Sequence, residues 1–157
     1  MMFKTHLAFS FLVAMLFIQI VPVAYPFLFV PLVTLFGSLP DIDTTKSKIG
    51  RKLWFLSMPI SVIFKHRGFF HSIFPALLLF VGLRFLGFPF LALAVAVGYC
   101  AHLLGDALTV EGVNFLHPIS TFEMRGFMRT GSIVESIVFV GIIVLDVVVI
   151  LRVLKLV

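Results

Sequence analysis

The stretch Phe88–Leu108, which reads FPFLALAVAVGYCAHLLGDAL, decides the fold. A helix that crosses the hydrocarbon core of a bilayer needs roughly 20 predominantly apolar residues, and this stretch is long enough. Its imidazole and carboxylate side chains, His102 and Asp106, both lie near its end. The sequence therefore predicts a membrane-spanning helix whose last turns carry two polar side chains.

The composition of the whole chain indicates the same class of protein. Of its 157 residues, 61% are hydrophobic and 12% are charged, and the mean hydropathy is +1.20. A soluble domain is usually about 45–50% apolar and about a quarter charged. These values argue against a water-soluble enzyme, a disordered tail and a free-standing nucleic-acid binder. Cys100 is the only cysteine, which excludes a disulfide framework and a cysteine-rich zinc site.

We predict an all-α, polytopic membrane helix bundle that forms a single domain over residues 1–157. The five predicted spans are Leu7–Val21, Val23–Leu39, Ser72–Leu86, Phe88–Leu108 and Ser132–Leu151. The apolar segment Leu53–Phe64 is too short to cross and contains Pro59, so we interpret it as a re-entrant or interfacial piece. The N-terminal segment also has the charged-then-apolar pattern of a signal peptide, although Pro22 fits the cleavage site poorly.

Five spans bring the histidines and nearly all of the acidic residues to one side of the membrane. The chain starts on this side with His6, and it returns there with Asp41 after the second span and with Asp106 after the fourth. Most of the basic residues belong to the same side: Lys4, Lys46, Lys48, Arg51, Lys52, Lys65, Arg67, Arg125 and Arg129. Because short basic loops stay in the cytoplasm, we expect this side to face the cytoplasm.

His102 and Asp106 form the first part of a candidate metal site. They are four residues apart, so they lie on one helix face, where an imidazole nitrogen and a carboxylate oxygen can bind one divalent ion. A hydrogen-bonded pair is the alternative interpretation. Small residues that allow close helix approach recur along the same helix, and they direct this face toward the bundle interior. These small residues are Ala94, Gly98, Ala101 and Gly105.

Asp41 and Asp43 form the second part of the candidate site. Pro40 disfavours helix at the preceding residue, and in extended chain two residues that are two apart point to the same side. Both carboxylates could then bind cations. Asp43 also fits the cap of the turn that follows, so Asp41 is the safer ligand.

The third part is the segment from Lys65 to Ser72. His66 and His71 stand on either side of Gly68, so both imidazoles can reach one site. The guanidinium of Arg67 is suited to bind phosphate through two hydrogen bonds. We expect Arg67 and Lys65 to bind substrate, and Arg67 and Asp41 to act in catalysis. Topology and contact with lipid head groups are the alternative explanation for the basic residues.

Together these residues supply enough nitrogen and oxygen donors for two or more divalent metal ions. The mixed histidine–carboxylate set favours Zn²⁺, with Fe or Mn as alternatives, over Ca²⁺ or Mg²⁺. Two neighbouring ions activate water and hold both oxygens of a phosphoester displacement. We therefore expect a phosphoesterase that acts on a phosphorylated lipid-like substrate at the membrane surface, with membrane lipid as its partner and no nucleic acid.

The order of these motifs resembles a known family. Thr5-His6, Leu39-Pro40-Asp41-Ile42-Asp43, His66-Arg67-Gly68 with His71-Ser72, and Gly98-Tyr99 before His102 and Asp106 resemble the YdjM-like family of inner-membrane-associated metal-dependent hydrolases. That family is distantly similar to zinc-dependent phospholipase C. The resemblance implies metal ligands at His6, Asp41, His66, His71, His102 and Asp106. Glu135 ends a segment similar to the close of the family pattern, and the resemblance implies that it is a further ligand. His117 departs from the family pattern and is a secondary candidate. Asp43 is also secondary, because it fits the cap of the turn that follows it.

Other functions stay open at this point. The protein could be a non-catalytic membrane scaffold or partner-binding protein in which a metal only ties loops together, or a metal-ion carrier or sensor. Carriers usually hold their ligands near the midplane on repeated halves, and this sequence has no evident repeat. The sequence does not determine the oligomeric state.

We expect Asp146, inside the fifth span, to pair with Arg84 as a structural lock.

Overall fold

The computed structural model describes residues 1–64 and 67–155, and its regular structure is helical. Two residues of the predicted site, Lys65 and His66, lie outside the described residues. Short 3-10 helices cover Leu39–Asp43 and Phe69–His71. The α-helices are α1 (Phe3–Ile20), α2 (Pro26–Phe36), α3 (Lys48–Lys52), α4 (Trp54–Ile63), α5 (Ile73–Phe85), α6 (Pro89–Ala107) and α7 (Ile133–Val153). The predicted all-α membrane bundle is confirmed.

Four segments within the described residues are long and apolar enough to cross a membrane, and they match four of the five predicted spans. These segments are Phe3–Ile20, Pro26–Asp43, Pro89–Ala107 and Ile133–Val153. The remaining predicted span is the 13-residue helix α5. At 1.5 Å per residue α5 is roughly 20 Å long, which is less than the hydrocarbon core. Helix α4, with 10 residues, is too short to cross, as predicted.

Helix α6 lies at the centre of the bundle and packs against α1, α2 and α5, whereas α7 packs against α1. The small residues predicted on α6 are buried and make this packing close. A side chain at Gly98 would place its Cβ 2.5 Å from the carbonyl oxygen of Val33, so the backbones of α2 and α6 touch there. A Cβ at Gly105 would lie 3.2 Å from His6 Nδ1. The packing therefore brings the start of α1 and the end of α2 to the last turns of α6.

Asp146 does not form the predicted pair with Arg84. Its side chain is buried in α7, and its Oδ1 atom has no hydrogen-bond partner among the described residues. Arg84 belongs to α5, which packs on α6, while α7 packs on α1. The prediction was wrong because the order of the spans assigns residues to a side of the membrane but not to neighbouring helices.

A candidate metal centre

Side chains from four segments meet at one end of the bundle. His6 comes from the first turns of α1, Asp41 from the 3-10 helix after α2, and His71 from the 3-10 helix before α5. His102 and Asp106 come from the last turns of α6. Among the described residues, two groups have ligand atoms close enough to bind a metal ion: His6, His102 and Asp106, and Asp41, His71 and His102.

Two histidine nitrogens and two carboxylates face one another at short range. His71 Nε2 lies 3.6 Å from Asp106 Oδ2 and 3.9 Å from Asp41 Oδ1. His102 Nε2 has the same separations, 3.6 Å from Asp106 Oδ2 and 3.9 Å from Asp41 Oδ1. Neighbouring ligands of a tetrahedral zinc ion are about 3.4 Å apart, given bonds of about 2.0–2.2 Å. Each histidine–carboxylate contact is therefore within about half an ångström of that separation.

The outer nitrogen of each of these histidines is held by a hydrogen-bond acceptor. His102 Nδ1 donates to the carbonyl oxygen of Gly37 at 2.7 Å, which leaves Nε2 unprotonated in the neutral ring. That Nε2 atom is buried and has no hydrogen-bond partner in the part of the chain that the structure describes. His71 Nδ1 donates to Asp43 Oδ2 at 3.0 Å. Metal-binding histidines usually have such an acceptor behind them, so this arrangement fits a metal ion.

The burial of His71 also favours metal binding. The ring is 1% exposed, and the loss of hydration lowers its pKa below the ordinary value, against the opposing effect of the Asp43 carboxylate. A lowered pKa keeps the imidazole neutral at pH 7. A neutral imidazole is the form that binds a metal ion.

The other oxygen of Asp106 has a different set of neighbours. Asp106 Oδ1 accepts a hydrogen bond from the amino group of Met1 at 2.9 Å and lies 3.2 Å from His6 Nε2. The ring of His6 stacks on His102 with centroids 4.0 Å apart and planes 5° from parallel. The two oxygens of Asp106 thus face separate histidines, His6 on one side and His71 with His102 on the other. A carboxylate placed in this way can serve two neighbouring metal positions.

Arg67 reaches the same carboxylate from the loop before α5. Its Nη2 lies 3.6 Å from Asp106 Oδ1, and its Nη1 donates to the carbonyl oxygen of Gly112 at 3.1 Å. The backbone N–H of Arg67 donates to Asp43 Oδ2 at 3.1 Å. The Arg67 side chain is 24% exposed, and it lines a cavity beside the cluster.

Three predicted ligands lie outside both groups. The Asp43 carboxylate stands behind His71 and accepts hydrogen bonds from it and from Arg67, which is a positioning role. Glu135 is fully buried, and its two oxygens accept hydrogen bonds from the backbone N–H groups of Met2 and Gly131. It joins the start of α7 to the start of α1. His117 lies in the loop between α6 and α7, before Pro118.

A cavity of about 370 Å³ opens beside the cluster. Its wall includes ligand candidates from the cluster, His6, Asp41 and Asp106, together with Arg67. The remaining wall carries further basic side chains from the segment around α3. The site is therefore a buried cluster with an open, positively charged approach.

One part of this arrangement, the acceptor behind His102, has no signal in the sequence. The carbonyl of Gly37 is a backbone group, and it meets His102 only because α2 and α6 pack closely. The sequence contains a partial signal for the position of Glu135 at the start of a helix, because Ser132 and Glu135 have the spacing of a helix capping box. Ser132 Oγ does accept a hydrogen bond from the N–H of Glu135 at 3.2 Å.

The fold and the cluster define a multi-pass helical membrane protein with a buried histidine–carboxylate site at one end of its bundle. The chain belongs to the family described as YdjM inner membrane protein, whose family model matches residues 1–155. This match confirms the family resemblance predicted from the motifs. The similarity to zinc-dependent phospholipase C stays a prediction.

Relatives in bacteria support the same assignment. "Uncharacterized protein YvsG" of Bacillus subtilis (strain 168) is 38% identical over 107 residues, which cover 66% of each chain. The inner membrane protein YdjM of Escherichia coli (strain K12) is 38% identical over 96 residues, which cover 57% of this chain and 48% of the relative. The chain thus spans between about half and two thirds of the length of these curated relatives. No solved structure matches it.

Proposed function

We propose that this protein is a membrane-bound, metal-dependent hydrolase that cleaves a phosphoester of a lipid or a lipid-linked phosphate. The observation that carries the proposal is the shared cavity, in which His6, Asp41 and Asp106 of the cluster lie beside the side chain of Arg67. A site for a metal alone has no need of a cation next to its ligands. A site for a metal and a phosphate needs both.

The residues that would hold the metal are His71, His102, Asp41 and Asp106, with His6 on the second oxygen of Asp106. Zn²⁺ fits this donor set best, because nitrogen and carboxylate oxygen are both good zinc ligands. Bound zinc lowers the pKa of a coordinated water and polarises a phosphoryl oxygen. The hydrogen bonds that the outer ring nitrogens donate to Gly37 and Asp43 fix the two rings in place.

The protein's own side chains divide the remaining work. Arg67 would bind the phosphate oxygens and stabilise the negative charge that develops during displacement. The Asp41 side chain is 20% exposed, whereas the Asp106 side chain is 2% exposed. Both carboxylates line the cavity, and because Asp41 is the more exposed of the two, we assign it to accept the proton of the attacking water.

The proposal includes the orientation of the site. The excess of basic residues in the loops around the cluster supports a cytoplasmic position. An alkaline phosphatase reporter, which is active only outside the cytoplasm, is expected to be inactive when fused after Lys48. An active fusion at this position would contradict the orientation.

The test of the hydrolase proposal combines metal analysis with a phosphoester screen. Purified wild-type protein is expected to contain zinc and to release phosphate from at least one lipid phosphoester. His102→Ala should lose both properties. His117→Ala is the matched control, because His117 lies outside both ligand groups, and it should keep both. Hydrolysis that His102→Ala leaves unchanged would contradict the proposal.

A metal-stabilised scaffold is the second candidate. The observation in its favour is that the ligands come from four separate segments, so ions in the two ligand groups would tie together α1, α6 and the two 3-10 helices. Such a protein would bind zinc through His102 and lose thermal stability without it, yet it would release no phosphate from any substrate in the screen.

A further inference from the structure

The cavity beside the cluster has a basic wall that the proposed chemistry does not use. Lys46, Lys48 and Arg51 line it, and they come from α3 and the residue pair before it. Lys52 belongs to the same helix but does not line the cavity. A general attraction to anionic lipid would involve these three side chains and Lys52 equally. Only the three, and not Lys52, line the cavity.

This basic wall is built on a fixed piece of backbone. Ser47 Oγ accepts a hydrogen bond from the N–H of Gly50 at 2.8 Å and donates to the carbonyl oxygen of Asp41 at 2.7 Å. The start of α3 is thereby joined to a proposed metal ligand. Gly50 is buried, and a Cβ there would collide with the carbonyl oxygen of Thr44. Only glycine fits at this contact, so α3 is held against the loop that carries Asp41.

One lysine of the wall is also held by its side chain. The Nζ of Lys48 lies 5.2 Å from the centre of the Phe3 ring, within the range of a cation–π contact. Phe3 lines the same cavity. The contact keeps the ammonium group at the cavity wall, which lowers the entropy cost of binding an anion there.

The charges of the cavity lining indicate which anion fits. Four cationic side chains line it, Lys46, Lys48, Arg51 and Arg67, against the two carboxylates of Asp41 and Asp106. Divalent ions in the cluster would add to this positive excess. A phosphate monoester carries close to two negative charges at pH 7, because its second pKa is about 6. A phosphodiester carries one, so it compensates the excess less well.

We propose that Lys46, Lys48 and Arg51 form a subsite for the phosphate of the substrate, and that it selects phosphate monoesters and diphosphates over phosphodiesters. The inference rests on the proposed function, since it names the substrate class of that same site. The cavity volume of about 370 Å³ admits a head group but not a macromolecule. A lipid phosphate and a soluble diphosphate share this chemistry, and the experiment separates them.

The experiment measures binding of three probes to zinc-loaded, detergent-solubilised protein by titration calorimetry. The probes are short-chain phosphatidic acid, short-chain phosphatidylglycerol and inorganic pyrophosphate. Wild-type protein is expected to bind phosphatidic acid at least about tenfold more tightly than phosphatidylglycerol, as expected for charge-assisted hydrogen bonds to the extra charge. Tighter binding of phosphatidic acid than of pyrophosphate identifies a lipid source, and the reverse order identifies a soluble one.

The variants test the residues. Lys48→Gln and Arg51→Gln should each weaken binding of phosphatidic acid about five- to tenfold and leave phosphatidylglycerol within about twofold. Lys52→Gln is the matched control and should bind all three probes like the wild type. Equal affinities for phosphatidic acid and phosphatidylglycerol, or an equal loss in Lys52→Gln, would overturn the inference.

A hydrolysis assay on the same samples separates the two proposals. Selective binding that depends on Lys48 and Arg51, with no hydrolysis of any phosphoester, supports the subsite and contradicts the hydrolase. Hydrolysis of monoesters to free phosphate and of diesters to monoesters at equal rates, unchanged in Lys48→Gln and Arg51→Gln, supports the hydrolase and overturns the subsite.

Discussion

Helices α6 and α7 are similar in length and both are apolar enough to cross a membrane, but their polar residues have different surroundings. The α6 span is 61% buried within the bundle, and its His102 and Asp106 meet partners from three other segments. The α7 span is 22% buried, and one oxygen of Asp146 in this span has no hydrogen-bond partner within residues 1–64 and 67–155. An ionisable residue in a membrane helix is expensive and is therefore a functional candidate by default. The comparison shows that its neighbours, and not its presence in a span, decide whether a site forms.

The largest expected effect is on metal content, and it distinguishes Asp106 of α6 from Asp146 of α7. Asp106→Asn should remove the metal, because Asp106 faces three histidines and an amide is a much weaker ligand. Asp146→Asn should keep the metal content of the wild type. Metal content per chain, measured by inductively coupled plasma mass spectrometry, checks both. Equal metal loss in the two variants would mean that loss of folding, and not loss of a ligand, explains the result for Asp106.

The next largest effect is expected at Arg67, whose guanidinium lies near Asp106 at the end of α6. Arg67→Ala should retain the metal and lower turnover about a hundredfold or more, because Arg67 faces Asp106 but is assigned to the phosphate. Metal content and the rate of phosphate release at saturating substrate are measured on the same sample. If Arg67→Ala loses metal as completely as Asp106→Asn, the arginine instead holds the ligand loop in place, through its contacts with Gly112 and Asp43.

A smaller effect is expected from the residue behind His71. Asp43→Asn removes the charge of the carboxylate that orients this ring, and it should weaken zinc affinity about 10- to 100-fold without abolishing binding. Competition with a fluorescent zinc chelator measures the change. Glu111→Gln is a control, since that carboxylate is exposed in the loop after α6. An unchanged zinc affinity in Asp43→Asn would show that His71 is oriented by other contacts.

The smallest expected effect is on the free energy of unfolding, and it differs between Glu135 and Asp146, the two carboxylates of α7. Glu135→Gln should lower the free energy of unfolding by about 1–3 kcal/mol, because an amide accepts only one of the two backbone hydrogen bonds and leaves a buried N–H unpaired. Asp146→Asn removes no such contact and should change stability by less than about 0.5 kcal/mol. Unfolding in mixed micelles measures both. A larger loss in Asp146→Asn would indicate a partner for Asp146 that the described residues do not provide.

The same comparison shows what could be predicted from sequence. The spacing of His102 and Asp106 and the small residues of α6 predicted both the helix face and its burial, because these depend on one helix alone. The convergence of His6, Asp41 and His71 followed from counting spans. The contact of His102 with Gly37 depends on how two helices cross, which no local pattern records.

The errors have the same physical origin. Asp146 and Arg84 were assigned to one side of the membrane, but their helices are not neighbours. The predicted third span is shorter because the helix begins after Ser72 and ends before Gly87, whose φ is +82°. Hydropathy could not show where the backbone leaves the helix. The role of Asp43 as the partner of His71 also required the fold, since the two residues belong to separate 3-10 helices.

X-ray absorption spectroscopy at the zinc edge of the zinc-loaded protein tests the central claim most directly. The predicted result is an ion with nitrogen and oxygen ligands at about 2.0–2.2 Å and with the multiple scattering of at least two imidazoles, those of His71 and His102. His102→Ala should reduce or remove the imidazole signal. Zinc bound through sulfur, or through oxygen ligands with no imidazole, would contradict the account, because the ion would then lie away from the cluster on α6.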